Sequence, residues 1–372
     1  MSAGLQGVIA GQSGVCYIDG AKGLLSYRGY NVHELAPNST FEETAHLLWF
    51  GSLPKAGELE DTKHEMADCR AIPDEVNSII QQFPETSSPM ASLRSAVSTL
   101  ALFDPEAEDS SPEANSRKAL RITAQTATIV AALGRLRAGK KPIKPRSDLS
   151  HAGNFYYMLM GEVPDEVIER ALDVALILHA DHEYNASTFA ARVTSATLSD
   201  MYSAVTSGLG ALKGPLHGGA NANVMRLLLE IGNDSKVEET VHSMFEQKKK
   251  IPGFGHRVYT TEDPRATHLR SMSQQAGERS GDTKWFDMSS HIEKIVKEEK
   301  NLNANVDFYS ASTYYVIGLP IDLFTPFFAV SRMAGWTAHV LEQYADNRLI
   351  RPRADYIGSE PTLKWLPPDQ RE

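Results

Sequence analysis

Apolar positions along the chain fall into two regimes. Between residues 5 and 27 the segments VIAGQSGVCYIDG and LLSYRGY flank the turn-prone Gly20-Ala21-Lys22-Gly23. Short β-rich runs around such a turn predict a small N-terminal hairpin or extended arm. From about residue 40 the helical period takes over. Thr40 with Glu43 three residues later fits a capping box ahead of the apolar run AHLLWF, and Pro54 marks a new start. Met90, Leu93, Val97 and Leu100 share one helix face behind the start signal Ser88-Pro89. Residues 104–114 (DPEAEDSSPEA) and 139–146 (GKKPIKPR) are proline-broken and charged, so they are expected to be solvated connections. Residues 165–183 and 186–213 are expected to be helical. The second stretch is rich in small residues, which let helices approach closely. Asn223 to Ile231 is a further helix stopped by Gly232. No period of 20–50 residues repeats. The pattern predicts a mostly α fold.

Composition narrows the function classes. The chain has 372 residues, 42% hydrophobic and 23% charged, the balance of an ordinary globular enzyme and not of a disordered or fibrous chain. A net charge of −10 argues against a general nucleic-acid binder. An acidic chain that still binds an anion must concentrate its positive charge locally. The two cysteines, Cys16 and Cys69, are too few for a disulfide framework and form no Cys-x-x-Cys pair. The N-terminus has no basic segment followed by a long apolar core, and no apolar run reaches the roughly 18 residues that span a bilayer. A cytoplasmic, reducing compartment is expected.

Chemistry concentrates in a few places. His217 lies in Lys213-Gly-Pro-Leu-His-Gly-Gly-Ala-Asn221, where Gly218 and Gly219 leave the imidazole open to a substrate; the segment is otherwise a turn with an incidental histidine. His256 lies in Ile251-Pro-Gly-Phe-Gly-His-Arg-Val258, with Asp263-Pro-Arg265 following. Gly253 and Gly255 could present backbone N–H groups to an anion, but neither a dinucleotide fingerprint nor a Walker loop is completed. His179 and His182 are three apart and could share a metal, yet the zincin spacing is absent. Polar residues holding an anionic substrate fit that segment better. Asp307, in Asn305-Val-Asp-Phe-Tyr-Ser, is either a helix-start aspartate or a base whose pKa desolvation raises. Arg332 sits in the apolar run Phe327-Phe-Ala-Val-Ser-Arg-Met333 and needs an anion, from the protein or a ligand. Arg351 and Arg353 are a solvated tail or a second anion clamp.

Five ordered segments together, LHADHEYNASTFAARV, LKGPLHGGAN, IPGFGHRVYTTEDPR, NVDFYSAS and FTPFFAVSR…NRLIRPRADY, resemble the citrate synthase family from about Gly4 to Gly358. The resemblance implies an almost wholly helical dimer. Its large domain would comprise residues 1–216 and 323–372, and its small mobile domain residues 217–322. It implies condensation of acetyl-CoA with oxaloacetate and hydrolysis of citryl-CoA. His217, His256 and Asp307 would be catalytic. His182, Arg265 and Arg332 would bind oxaloacetate, Phe328 would pack beside it, and Arg351 would reach the partner's site. Coenzyme A enters as a cosubstrate, with no tightly bound cofactor and no metal, along Lys250, Ile251, Pro252, Gly253, Phe254, Gly255 and Arg257. Ala222 and Thr260 depart from many relatives, and Thr260 weakens a phosphate contact there. Lacking the N-terminal extension of hexameric relatives, the chain is expected to be a homodimer, with no nucleic-acid or membrane partner. The alternatives are 2-methylcitrate synthase, which uses propionyl-CoA through the same residues, a metal-dependent hydrolase using His179 and His182, and a non-catalytic helical binding protein.

Overall fold

The structure, a computed structural model, describes residues 3–5, 7–359, 362 and 364–371. Residues 1, 2, 6, 360, 361, 363 and 372, which fall in the first and last of the expected domain segments, lie outside the described residues. The predicted hairpin is present. β1 (Cys16–Asp19) pairs antiparallel with β2 (Leu24–Tyr27), Cys16 opposite Tyr27 and Asp19 opposite Leu24, and a short β3 (Tyr30–Asn31) adds to β2. The Asp19 carboxylate closes the turn by accepting from the N–H groups of Ala21 and Lys22.

Sixteen α-helices follow among the described residues. The first seven are α1 (Val32–Asn38), α2 (Phe41–Phe50), α3 (Ala56–Asp68), α4 (Asp74–Ile80), α5 (Pro89–Leu100), α6 (Pro112–Arg137) and α7 (His151–Met160). Then come α8 (Glu166–His179), α9 (Ala186–Ser195) and α10 (Met201–Leu212). The five helices α11 (Ala220–Ile231), α12 (Val237–Glu246), α13 (Pro264–Ser280), α14 (Lys284–Lys300) and α15 (Val306–Val316) pack chiefly on one another. The chain returns in α16 (Phe324–Ala345), which runs through the centre of the remaining helices against α2, α6, α8, α9 and α10. Its Phe324, Phe327, Val330, Met333, Trp336 and Val340 are all buried. Gly335 permits the closest approach: a Cβ there would lie 2.2 Å from the Ala180 carbonyl oxygen. That approach sets the end of α8 against the middle of α16.

Side-chain caps account for many of the boundaries. Thr40 accepts from the Glu43 N–H, Ser88 from Ala91, Asn185 from Ser187 and Thr188, and Asp263 from Arg265. As expected, Met90, Leu93, Val97 and Leu100 are buried together on α5.

Two expectations are corrected. Residues 186–213 are not helical throughout: Leu198 turns left-handed (φ 64°) and Asp200 caps a new start by accepting from the Ser203 N–H. Residues 104–114 are not merely a solvated loop. The Asp104 side chain is only 5% exposed, paired with Arg121 at 2.6 Å and bonded to the Tyr202 hydroxyl, and Lys118 donates to the Ala107 carbonyl. A buried carboxylate matched by a guanidinium holds the loop against α6 and α10.

Candidate active site

Four backbone corners meet between the α11–α15 group and the rest of the chain. The first follows α8. Tyr27 of β2 donates to the Leu178 and Asp181 carbonyls at 3.2 and 3.1 Å. Buried Asp181 accepts from His339 Nε2 at 3.1 Å, and Arg192 donates to the other ring nitrogen. These contacts fix the loop that carries His182. The His182 imidazole is buried, bonded to the Tyr259 hydroxyl at 3.1 Å, and meets the His256 ring edge-on at 5.2 Å between centroids. Burial pushes its pKa well below the usual histidine value, helped by Arg265, His256 and Arg332.

His217 sits in the second corner, where Gly218 and Gly219 turn the chain into α11. A Cβ on Gly218 would fall 2.1 Å from the Leu212 carbonyl oxygen, so glycine is required. The His217 Nε2 lies 2.8 Å from Ser187 Oγ and accepts from the Ser187 N–H at 3.3 Å, while Trp336 donates to the same Oγ. A backbone N–H can only donate, so the proton of the neutral ring is assigned to Nδ1. Burial, then Arg332, pushes the His217 pKa down to about 4.

Residues 251–263 form the third corner. The Phe254 backbone bridges Ala304, and the N–H groups of Gly255 and Asn305 donate to the carbonyls of Asn303 and Gly253 at 3.0 and 2.9 Å. The His256 loop and the start of α15 are thus one zipped unit. Gly253 adopts φ 83°, and a Cβ would meet Phe308 at 2.8 Å. His256 Nδ1 accepts from the N–H groups of Val258 and Tyr259 at 3.0 and 3.2 Å, which leaves the ring proton on Nε2. Burial pushes its pKa down to about 4 as well. The N-terminal hairpin braces this loop from outside: Thr260 donates to the Gly20 carbonyl at 3.0 Å, and a Cβ on Gly20 would overlap the Val258 carbonyl.

The fourth corner joins α13, α15 and α16. Asp263 grips Arg265 side-on, Nε to Oδ1 at 2.9 Å and Nη2 to Oδ2 at 2.8 Å, and accepts from the Val306 N–H at 3.2 Å. Burial raises the Asp263 pKa, but the attraction of Arg265 overrides it and the net direction is down. Arg332 is also buried, yet no carboxylate pairs with it among the described residues. Its Nε donates to the His179 carbonyl at 2.7 Å and its guanidinium lies 4.7 Å from the Phe328 ring centre. Asp307 opens α15, its N–H capped by Asn305. Burial raises its pKa to about 6 against the opposing pull of Arg265.

Neutral imidazoles, a protonatable carboxylate and two buried guanidiniums therefore share one cleft. That arrangement can move a proton from a weak acid, donate hydrogen bonds to developing oxyanions and hold a dicarboxylate. Relatives and solved structures identify the family. Residues 4–353 match the family described as citrate synthase, C-terminal domain. Citrate synthase 2 of Bacillus subtilis is 51% identical over 99% of this chain and 98% of its own. The citrate synthase of Haloferax volcanii is 51% identical over 100% and 99%. A crystal structure of citrate synthase from Pyrobaculum aerophilum superposes with a TM-score of 0.93 at 41% identity, over 99% of this chain and 95% of that one.

The chain belongs to the citrate synthase family. It is accordingly an enzyme, an acyltransferase of citrate synthase type, on a mostly helical fold with a small N-terminal sheet. Of the residues singled out from sequence, the structure gathers His182, His217, His256, Arg265, Asp307, Phe328 and Arg332. It leaves Arg351 apart, in an exposed extended segment beyond α16. Lys250 and Arg257 are exposed at either end of the GFGH loop, Ile251 is buried, and Pro252, Phe254 and Gly255 are half-buried. One expectation fails locally: the Gly255 N–H is taken by the Asn303 carbonyl, so it is not offered to an anion. His179 and His182 address different partners. His179 Nδ1 turns back to the Ala175 carbonyl at 2.7 Å while His182 faces Tyr259. No cluster of three or more side chains able to hold a metal occurs among the described residues. No helix among them is long and apolar enough to cross a membrane.

Three residues that shape the site escaped sequence reading: Ser187, which holds His217; Tyr259, which holds His182; and Asp263, whose carboxylate is shared among Arg265 and two backbone N–H groups. Only Asp263 carried a usable signal, an aspartate before Pro-Arg at a helix start.

Proposed function

We propose that the chain condenses acetyl-CoA with oxaloacetate and hydrolyses citryl-CoA, and that His217, His256 and Asp307 perform the chemistry. The supporting observation is the pair of imidazoles whose tautomers the backbone sets. His217 receives an N–H at Nε2 and so donates from Nδ1; His256 receives two at Nδ1 and so donates from Nε2. Both stay neutral at working pH because burial depresses them.

Asp307 takes a proton from the methyl carbon of the thioester. That carbon acid is more than about ten pK units weaker than a carboxylic acid, so the transfer is uphill by roughly 14 kcal/mol in the absence of help. The raised pKa of Asp307 reduces the gap, and the Nδ1–H of His217 stabilises the enol oxygen as charge develops there. The enol carbon then attacks the ketone of oxaloacetate, whose oxygen gains its proton from His256 Nε2. Arg332, lacking a carboxylate of its own, receives one substrate carboxylate. Arg265 keeps Nη1 available while Asp263 fixes its plane. His182, between Tyr259 and His256, orients the keto acid, and Phe328 packs beneath Arg332. Water then cleaves citryl-CoA to citrate and CoA, which draws the sequence forward.

In this reading residues 217–322 move as a small domain against residues 1–216 and 323–372, and closure excludes water. Coenzyme A lies along residues 250–257, with Lys250 and Arg257 at its phosphates. The crystal structure of the Thermoplasma acidophilum citrate synthase with carboxymethyl-coenzyme A and oxaloacetate supports that pairing of ligands; it superposes with a TM-score of 0.93 at 33% identity, over 100% of this chain and 99% of that one. The enzyme works as a cytoplasmic homodimer in which Arg351 completes the partner's site.

The test is release of CoA thiol with oxaloacetate, first from acetyl-CoA and then from propionyl-CoA. Higher kcat/KM with acetyl-CoA is expected. A clear preference for propionyl-CoA moves the protein to the 2-methylcitrate branch, and no release from either ends this reading.

A further inference from the structure

Two polar atoms in the floor of the cleft have no partner: the Tyr314 hydroxyl and His179 Nε2, both fully buried. They are complementary. His179 Nδ1 donates to the Ala175 carbonyl, so Nε2 carries a lone pair and needs a donor, while Tyr314 holds an unused O–H. Their rings stand 6.4 Å apart between centroids. Around Tyr314 pack Phe324 at 5.4 Å and Phe327 at 5.1 Å, both edge-on. A phenylalanine would fill that aromatic cage equally well, so packing leaves the hydroxyl unexplained. A buried unmatched hydroxyl is destabilising.

Placement on α15 supplies the explanation. Tyr314 is seven residues after Asp307, two helical turns on, hence on the same face. Side chains lean toward the helix N-terminus, so the Tyr314 ring is directed along that face toward Asp307. The Asp307 carboxylate accepts no hydrogen bond from any described residue. The same His179 whose ring nitrogen is unmatched gives its carbonyl to Arg332 and lays its ring against Phe328 at 4.9 Å.

We propose that Tyr314 and His179 hold one buried water that donates to Asp307 and so positions the catalytic carboxylate. Tyr314 O–H donates to the water, and the water donates one hydrogen to His179 Nε2 and the other to Asp307. Three partners are what an ordered buried water normally has. Tyr314 and His179 are positioning residues, and the charges facing the trio are Asp307 on α15, Asp263 and Arg265 at the start of α13, and Arg332 on α16. The inference rests on the proposed function for its catalytic part only.

The experiment compares Tyr314→Phe, His179→Leu and the double variant with the unsubstituted protein. Tyr314→Phe is expected to lower kcat about ten-fold through loss of base alignment, with KM for oxaloacetate changed less than two-fold. The acid limb of kcat/KM should move to higher pH, because a donor to the charged form of Asp307 is lost. The double variant should be no slower than the slower single variant, and its thermal midpoint should fall less than the two single shifts added together. A Tyr314→Phe enzyme with kcat within two-fold and an unmoved acid limb would overturn the proposal, as would shifts in midpoint that simply add. If the unsubstituted protein releases no thiol from either acyl-CoA, the proposed function fails, while the midpoint cycle still decides whether the two side chains are linked.

Discussion

Two buried guanidiniums stand on opposite sides of the cleft in contrasting surroundings. On the α13 side, Arg265 is gripped by its own carboxylate, Asp263, and the pair is complete before any ligand arrives. On the α16 side, Arg332 has a backbone carbonyl and an aromatic face, with buried Asp181 acting on it only from beyond ion-pair distance. The first corner serves as architecture, since Asp263 also caps α13 and accepts from the Val306 N–H at the start of α15. The second maintains a positive field that costs desolvation until a carboxylate enters. A paired charge sets geometry; an unpaired one supplies binding energy.

The largest expected effect tests the group that both arginines face. Asp307→Asn should cut turnover by on the order of 10³-fold, within the range of lost acid–base catalysis. The thermal midpoint should not fall, because a carboxylate whose pKa the fold raises is no asset to it. Turnover above one tenth of normal would remove Asp307 from the mechanism.

The contrast itself is broken or confirmed by one substitution on each side. Asp263→Ala strands Arg265 and should cost about 3–5 kcal/mol in urea unfolding. Arg332→Leu should leave stability within about 1 kcal/mol or improve it, since a hydrophobic replacement of a buried charge is often neutral or better. The same variant should raise KM for oxaloacetate about 100-fold, the cost of a lost buried charge pair. Equal destabilisation by the two would show that Arg332 already has a structural partner.

A finer test reads the field at the histidines by NMR titration. Arg332 is the charge that depresses His217, so Arg332→Leu should raise its pKa from about 4 toward the ordinary value. Substituting Arg332 should leave His256 nearly unmoved, because burial, Arg265 and Asp263 set its pKa. The smallest effect is on stability against pH. His217 and His256 have folded pKa values depressed to about 4. Between pH 4 and the unperturbed value near 6.5 the unfolded chain therefore binds more protons, and stability from these rings rises with pH. Asp307 opposes this. Its folded value is raised to about 6, so the native state holds the extra proton between about pH 3.9 and 6, and its contribution falls as pH rises through that window. His256→Gln should flatten the acid side of the midpoint-against-pH curve; a steeper curve would reverse the assignment.

How much of this was legible depended on whether the cause was local. The hairpin turn at Gly20–Gly23, the α5 face and the start at Asp263-Pro264 follow from neighbours in sequence. His217 and His256 stood out because glycines crowd around them, and Arg332 because an arginine in an apolar helix must answer to an anion. Asp307 was readable only as a choice between cap and base; Asn305 performs the capping, and the raised pKa of Asp307 supports the proposed base. The break at Leu198 was hidden by small residues that suit a helix as well as a turn. Ser187 was out of reach, since its contact with His217 arises only when the start of α9 meets a turn 30 residues later. The burial of Asp104 was likewise tertiary, arising from Arg121 and Tyr202 on two other helices.

The brace between the hairpin and the His256 loop has a consequence for how the protein is made. The Gly20 carbonyl waits for a donor on Thr260, 240 residues downstream, and Tyr27 waits for the end of α8. Elongation at 5–20 residues per second places on the order of tens of seconds between translation of the hairpin and of α16. Until α16 arrives, the helices that pack on it, α2, α6, α8, α9 and α10, hold apolar faces uncovered. The enzyme is thus assembled late and almost at once, when the last long helix leaves the ribosome, and the growing chain is most in need of a chaperone just before that helix arrives.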